Sequence, residues 1–221
     1  MVALLFGQSN AANEGESPKV ANERVLNEFN GRLFRAEDPL LGSTGRGGSV
    51  WTRLGDEIIQ RKLYDEVVFF PMAVSATGIA RWSPGGDIHP KLVQRIREAK
   101  PMGLTFTHLL WHQGESDALS KTSKAAYQEA FHAMLDSIRR EGVAAPVYVS
   151  VATRCHRERP NRTIQEAQTE LVNPLEGIYA GPNTDMLGFE YRYDGCHFTD
   201  EGLHQAALLW LEVLTKSQRD S

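Results

Sequence analysis

Four short, nearly continuous apolar runs constrain the fold of this chain more than any other feature. They are Val2–Phe6, Val67–Ala73, Thr107–Trp111 and Val147–Val151. Runs of this length are typical of strands buried on both faces, as in a parallel sheet. Longer amphipathic segments alternate with them, which indicates crossover helices covering both faces of the sheet. The sequence therefore predicts one α/β domain over residues 1–221.

The segments between these runs carry signals for helices and for one hairpin. Ser49 and Ser123 each precede a helical segment, and their hydroxyls can cap its first turn. Asn30-Gly31 predicts the turn of a hairpin over Val25–Ala36. A glycine-rich loop follows it, over residues 37–48. The predicted helices are Val50–Lys62, Pro90–Ala99, Lys124–Glu141, Ile164–Leu171 and Asp200–Thr215.

Composition excludes several classes of protein. Hydrophobic residues make up 41% and charged residues 24% of the chain, which argues against disorder. The net charge of −4 lacks the basic footprint of a nucleic-acid binder, and no apolar run approaches the ~18 residues that cross a bilayer. Without a recognisable signal peptide we expect a cytoplasmic protein, although a shortened secreted chain would look the same. Composition does not indicate the oligomeric state.

Two cysteines, Cys155 and Cys196, are too few for a disulfide scaffold and lack metal-site spacing. Each lies beside a predicted site loop, so the two could pair under oxidising conditions. In a reducing compartment two free thiols are expected instead. No cofactor is expected.

Ligands of parallel α/β sheets bind beyond the carboxyl ends of the strands. The residues that follow each apolar run are therefore the candidates for a functional site. The loop before the last helix should reach the same edge. The five segments are 7–10, 75–82, 112–117, 153–156 and 194–197.

Two of these segments together supply the parts of a nucleophilic site. Ser9 follows the first strand at a turn that exposes its hydroxyl, and the turn's amides can face an oxyanion. Asp194 and His197 are three residues apart, so the carboxylate can bond Nδ1 and leave Nε2 free as a base. Each part alone is more often a capping serine or an Asx-turn. Their combination supplies a nucleophile, an orienting carboxylate and a base.

A third segment, Trp111–Asp117, holds further candidates. The Gln113 amide at a strand end can donate to an oxyanion. His112 and Glu115 could instead ligate a metal, but no third ligand accompanies them at suitable spacing. Glu115 alternatively makes a supporting hydrogen bond or contacts substrate.

Gly-Gln-Ser-Asn, Trp-His-Gln-Gly-Glu-Ser-Asp and Asp-x-x-His in this order resemble the SGNH-hydrolase superfamily. More narrowly, they resemble its sialate O-acetylesterase-like branch, which includes the acetylxylan esterases of carbohydrate esterase family six. The similarity runs from about Val2 to Leu214. It implies a flavodoxin-like three-layer αβα sandwich and a serine esterase without a metal.

The resemblance also assigns roles. Ser9 would be the nucleophile, His197 the general base and then acid, and Asp194 its orienter. The oxyanion hole would consist of the Ser9 N–H, the Gln113 amide and a backbone N–H at Ser75 or Ala76. Contacts to substrate would come from Gln8, Asn10, Arg81, Trp82, His112 and Glu115.

The sequence departs from the family at two places. Ser75-Ala76-Thr77-Gly78 stands where members commonly have Gly-Gly-Thr, so a backbone donor survives only if its conformation tolerates a Cβ. Ala11 replaces the usual Met and should reshape the pocket wall.

The implied reaction is removal of an O-acetyl group from an acetylated sugar, sialic acid or xylan. A lipase or thioesterase with the same triad, and a carbohydrate-binding protein that has lost catalysis, are the alternatives. Specificity would reside in loops 13–22, 37–48 and 154–162.

Overall fold

A seven-stranded sheet forms the centre of the computed structural model, which describes residues 1–156 and 159–217. The strand order is β3-β2-β4-β1-β5-β6-β7. Every pairing is parallel except the β2–β3 hairpin. The strands are β1 Val2–Gly7, β2 Val25–Phe29, β3 Arg32–Arg35, β4 Val67–Ala73, β5 His108–His112, β6 Val147–Val151 and β7 Ile178–Asn183.

Helices cover both faces of the sheet, which confirms the predicted α/β class. α1 and α6 pack on one face, and α2, α4 and α5 lie on the other. Ser49 and Ser123 cap α1 and α4 by accepting from Thr52 N and Ala126 N, as predicted. The helices are α1 Val50–Gln60, α2 His89–Arg97, α3 Glu115–Leu119, α4 Lys124–Arg140, α5 Arg162–Glu170 and α6 Asp200–Ser217.

The side-chain alternation of β1 explains why its sequence is apolar throughout. Ala3 and Leu5 belong to the core under α1 and α6, whereas Leu4 and Phe6 belong to the core under the other helices. All four side chains are fully buried. A strand buried on both faces has no position for a polar residue, so the apolar run is continuous.

The structure adds β7, which the sequence pattern does not predict. Gly181 and Pro182 within it are typical of turns, and proline weakens the prediction of a strand. β7 pairs only with β6 and forms an edge, where the missing proline N–H is tolerated. At Gly181 a Cβ would lie 2.7 Å from the Val149 backbone, so the close strand approach requires glycine.

The predicted hairpin is confirmed. Asn30 and Gly31 adopt φ values of 53° and 75°, the left-handed conformations of a tight hairpin turn. α5 begins earlier than predicted because Asn161 caps it, accepting from Ile164 N at 3.1 Å. In the part of the chain that the structure describes, no helix has the length and apolar character needed to cross a membrane.

Candidate active site

Ser9 lies at the carboxyl end of the central strand β1, in the short 3-10 helix Ser9–Ala11. Gly7 precedes it with a φ of +136°, and a Cβ there would lie 2.0 Å from His112 O. Glycine is therefore required for the close contact between the ends of β1 and β5. Gln8 N donates to the same carbonyl at 3.1 Å, which fixes the turn and presents Ser9 above the sheet.

Asp194 holds His197 through a compact turn before α6. Its Oδ2 lies 2.6 Å from His197 Nδ1, and its Oδ1 accepts the backbone N–H groups of Cys196 and His197 at 2.8 and 2.7 Å. Burial raises the pKa of Asp194, but these hydrogen bonds outweigh it and leave that pKa below its ordinary value. In a neutral imidazole, a proton on Nδ1 that faces the carboxylate leaves Nε2 free to act as a base.

Ser9 and His197 line one cavity of about 280 Å³. Ser9 is 5% exposed, and its Oγ makes no hydrogen bond with a residue in the described ranges. Catalytic hydrogen bonds often tighten only once substrate is bound. The predicted site residues that line the cavity are Gln8, Ser9, Ser75, Ala76, Glu115 and His197.

Six further residues line the cavity, and the sequence analysis predicted most of them by segment rather than by individual role. Glu14 lies in the predicted specificity loop 13–22, and His156 follows β6 in the candidate segment 153–156. Positions 157 and 158 of the predicted specificity loop 154–162 lie outside the described residues. Ser116, Cys155 and Cys196 also lie in candidate segments, whereas Leu119 lines the cavity outside every predicted segment.

Gln113 lies behind the cavity rather than in its wall. The side chain is fully buried, and Nε2 lies 3.0 Å from Thr77 O, 2.5 Å from Asp117 Oδ2 and 3.3 Å from Gln8 Oε1. The two amide hydrogens therefore already have acceptors. Gln113 joins the loops after β1, β4 and β5, and this position does not support the predicted role as an oxyanion donor.

Two backbone N–H groups remain as candidate oxyanion donors. Those of Ser9 and Ala76 make no hydrogen bond with any residue that the structure describes, whereas Ser75 N donates to Thr44 Oγ1 at 2.8 Å. The alternative that Ser75 supplies the donor is therefore not supported. Ala76 adopts a φ of +57°, a left-handed conformation that glycine tolerates better than alanine.

We expect Ala76→Gly to raise the free energy of unfolding by up to about 1 kcal/mol. Relief of the left-handed conformation is worth about 1–2 kcal/mol, and the greater chain entropy of glycine offsets about 0.5–1 kcal/mol of it. Ala80→Gly is the matched control, because Ala80 has no positive φ and should only lose stability. Urea unfolding of the wild type and both variants measures these changes in the free energy of unfolding. Equal losses of stability would contradict the left-handed assignment.

Asn10 connects the serine turn to the histidine loop rather than facing substrate. It is 4% exposed, and its Nδ2 donates to Glu115 Oε1 at 2.7 Å and to Cys196 O at 3.3 Å. Burial raises the pKa of Glu115 to about 7, although the Asn10 hydrogen bond lowers it. Glu115 Oε2 has no partner among the described residues. Asn10 and Glu115 therefore position the loops that carry Ser9 and His197.

Three residues predicted to bind substrate lie away from the cavity. Arg81 forms a two-pronged ion pair with Asp87 on the surface, at 2.8 and 2.6 Å. Trp82 is fully buried among aromatic rings of the core. His112 is also fully buried, and burial lowers its pKa to about 3. Within residues 1–156 and 159–217, no three acidic, histidine or cysteine side chains cluster to hold a metal ion.

Cys155 and Cys196 form a disulfide, with their Cα atoms 4.1 Å apart. The expectation of two free thiols is thus replaced by a covalent bond between the loop after β6 and the histidine loop. Cys196 also donates its N–H to Asp194 and accepts from Asn10. The disulfide therefore belongs to the framework that holds His197.

We expect thiol titration of the denatured protein to find no reactive thiol without reductant and two after reduction. The variant carrying Cys155→Ser and Cys196→Ser should lose about 2–4 kcal/mol of stability, because the bond constrains the unfolded chain. Reductant should lower the melting temperature of the wild type and leave that of the double variant unchanged. Two reactive thiols before reduction would contradict the bond.

The family model described as "Carbohydrate esterase, sialic acid-specific acetylesterase" matches residues 1–213. The chain belongs to this family. Membership confirms the resemblance expected from the three motifs. The match covers the serine turn, the Trp111–Asp117 segment and the histidine loop, and it ends within α6.

Individual members and structures agree with this assignment. The probable carbohydrate esterase At4g34215 of Arabidopsis thaliana is 28% identical over 139 residues, 62% of this chain and 51% of that protein. The alignment thus spans about half the length of that relative. The X-ray structure of Arabidopsis AT4G34215 has a TM-score of 0.77 at 20% identity and 97% coverage of each chain. The crystal structure of NanS has a TM-score of 0.75 at 14% identity, and the alignment covers 100% of this chain and 98% of NanS. These similarities confirm the predicted fold.

Proposed function

We propose that this protein is a serine esterase that removes O-acetyl groups from a carbohydrate. The observation that carries the proposal is the Asp194–His197 hydrogen bond at 2.6 Å, with His197 and Ser9 on the walls of one cavity. Family membership supports an acetylated carbohydrate as the substrate class. XAC1771, a carbohydrate acetylesterase from Xanthomonas citri, supports the fold with a TM-score of 0.57 at 17% identity, covering 97% of this chain and 56% of XAC1771.

The reaction begins when Ser9 Oγ attacks the ester carbonyl and His197 Nε2 takes its proton. The carboxylate of Asp194 stabilises the resulting imidazolium. Backbone N–H groups of Ser9 and Ala76 donate to the oxyanion. His197 then gives its proton to the departing sugar oxygen, leaving an acetyl group on Ser9. Water, deprotonated by His197, attacks this acyl-enzyme, and acetate leaves as Ser9 regains its proton.

The cavity favours a short acyl group over the lipase or thioesterase alternative. Its volume of about 280 Å³ lies just below the usual range for ligand pockets, which is about 300–1,000 Å³. The Asp194–His197 pair has the geometry that general-base catalysis requires. This geometry favours an active esterase over a carbohydrate-binding protein that has lost catalysis.

Acetate release from a panel of acetylated sugars tests the proposal directly. The wild type should release acetate and react covalently with a fluorophosphonate, whereas Ser9→Ala should do neither. Nitrophenyl acetate and nitrophenyl octanoate test the acyl group, and faster hydrolysis of the octanoate would favour the lipase alternative. Absence of both acetate release and fluorophosphonate labelling in the wild type would contradict catalysis by Ser9.

A further inference from the structure

A second cavity of about 290 Å³ adjoins the cavity that contains Ser9 and His197. Leu119 and Cys155 line both cavities, so the two spaces share a wall. The cavity around Ser9 lies just below the usual volume of ligand pockets. The second cavity can therefore receive a part of the substrate that extends past the reacting ester.

A lysine and an arginine line this second cavity. Lys121 follows α3 and Arg159 precedes α5, and both are exposed. Neither side chain forms an ion pair or a hydrogen bond with a residue that the structure describes. Both charges are therefore available to a bound ligand, and the anions that lysine and arginine pair with most strongly are carboxylates and phosphates.

The two cations belong to segments that are bonded to each other. Lys121 has a φ of +55°, a left-handed conformation that turns the chain directly after α3. Asn161, two residues after Arg159, donates from Nδ2 to Ala118 O at 3.3 Å and from its backbone N–H to Thr153 Oγ1 at 2.9 Å. The loop that carries Arg159 is thus tied to α3 and to the end of β6.

The acidic residue nearest this lining is occupied by other donors. Asp185 accepts from the backbone N–H and hydroxyl of Thr153, from Arg154 N and from Gln165 Nε2, at 2.6–2.8 Å. A carboxylate has about four acceptor sites, so these four bonds leave none for a lysine or arginine. Among the described residues, no aspartate or glutamate lines the second cavity.

The cavity around Ser9 has the opposite charge in its wall. Glu14 lines it, and its Oε1 accepts from Ser75 Oγ at 2.6 Å, which fixes the carboxylate there. An anionic group on the substrate is repelled by Glu14 and attracted by Lys121 and Arg159. The charges therefore orient an anionic substrate with its charged end in the second cavity.

We propose that the second cavity is a subsite for a carboxylate of the substrate, and that Lys121 and Arg159 make the protein favour acetylated sugars that carry one. The proposal rests on the esterase function proposed above. With the acetyl group at Ser9, the sugar spans the shared wall and its carboxylate pairs with the two cations. Sialic acids, named in the family description, and uronic acids both carry such a group.

Matched pairs of substrates isolate the effect of the carboxylate. 9-O-Acetyl-N-acetylneuraminic acid is compared with its carboxamide, and a methyl O-acetylglucuronoside with its amide, by acetate release. The wild type should favour the acid of at least one pair about tenfold in kcat/KM. That pair identifies the sugar that supplies the carboxylate. Raising the ionic strength from about 0.01 M to 1 M should bring the ratio close to one, because salt screens exposed charges.

Substitutions assign the preference to the two cations. Lys121→Gln and Arg159→Gln should each lower the ratio about threefold, and the double variant should bring it close to one. Lys62→Gln is the matched control, because Lys62 is also exposed, has a φ of +57° and lines neither cavity. Arg32→Gln, on the exposed strand β3, is the control for Arg159. Both controls should keep the wild-type ratio. Lys121→Glu should lower the ratio further than Lys121→Gln, an order that a loss of structure would not produce.

Hydrolysis of 4-nitrophenyl acetate is measured in every variant to report the triad by itself. If the wild type hydrolyses this ester and favours the acid of neither pair, the subsite is overturned and the esterase function stands. The same conclusion follows if the double variant retains the wild-type ratio. If the wild type hydrolyses none of these esters, the esterase function fails as well.

Discussion

Ser9→Ala is expected to lower kcat for acetate release by about 10⁴–10⁶-fold, because the variant lacks the hydroxyl that forms the acyl-enzyme in the proposed mechanism. The fold should remain intact. Ser9 Oγ makes no hydrogen bond with the described residues, so the change in stability should be within about 0.5 kcal/mol. Initial rates with an acetylated sugar, together with urea unfolding of the same preparation, measure both quantities.

Ser120→Ala is the matched control for this experiment. Ser120 is exposed at the end of α3 and lies outside the cavity, so the variant should keep the wild-type rate. A Ser9→Ala variant that retains activity within tenfold of the wild type would assign the nucleophile to another residue.

Asp194→Asn should lower kcat by about 10⁴-fold while leaving the turn in place. The asparagine carbonyl can still accept the backbone N–H groups of Cys196 and His197. Its amide would then face His197 Nδ1 and donate to it, so the ring proton would move to Nε2. A histidine protonated at Nε2 cannot accept the proton of Ser9.

Asp87→Asn provides the control for the same chemical change. Asp87 pairs with Arg81 on the surface, so Asp87→Asn should change the rate of acetate release less than twofold. Rates are compared across the pH range in which the wild type is active. A loss of less than tenfold for Asp194→Asn would show that orientation of His197 does not depend on this carboxylate.

The local sequence pattern and the geometry of parallel sheets were sufficient to predict most of the fold. They also placed Ser9 and His197 together in the candidate site. β4 and β6 have the predicted bounds, because all seven residues of β4 and four of the five residues of β6 are buried, which gives each strand a compact apolar pattern. β7 was not predicted, since Gly181 and Pro182 are typical of turns. The edge position tolerates Pro182, and the close approach to β6 requires Gly181. Ser9 and His197 share a cavity because both follow elements that end at the same edge of the sheet.

The positions of other site residues and the pairing of the cysteines depend on tertiary contacts, which a local sequence pattern cannot predict. Gln113 follows a strand, yet two acceptors from other loops and one from Asp117 in α3 hold its amide away from the cavity. Trp82 lies in the segment after β4, but its side chain packs against Trp111 in the aromatic core. Cys155 and Cys196 are 41 residues apart, and sequence alone cannot establish which cysteines pair.

Cys196 is bonded to three residues in different parts of the fold. Its N–H donates to Asp194, its carbonyl accepts from Asn10, and its sulfur is bonded to Cys155. The neighbouring histidine therefore has little orientational freedom to lose when substrate arrives. For the proposed general base, this ordering would take place once, during folding, instead of in each catalytic cycle. Pre-organisation of this kind lowers the entropic part of an activation barrier.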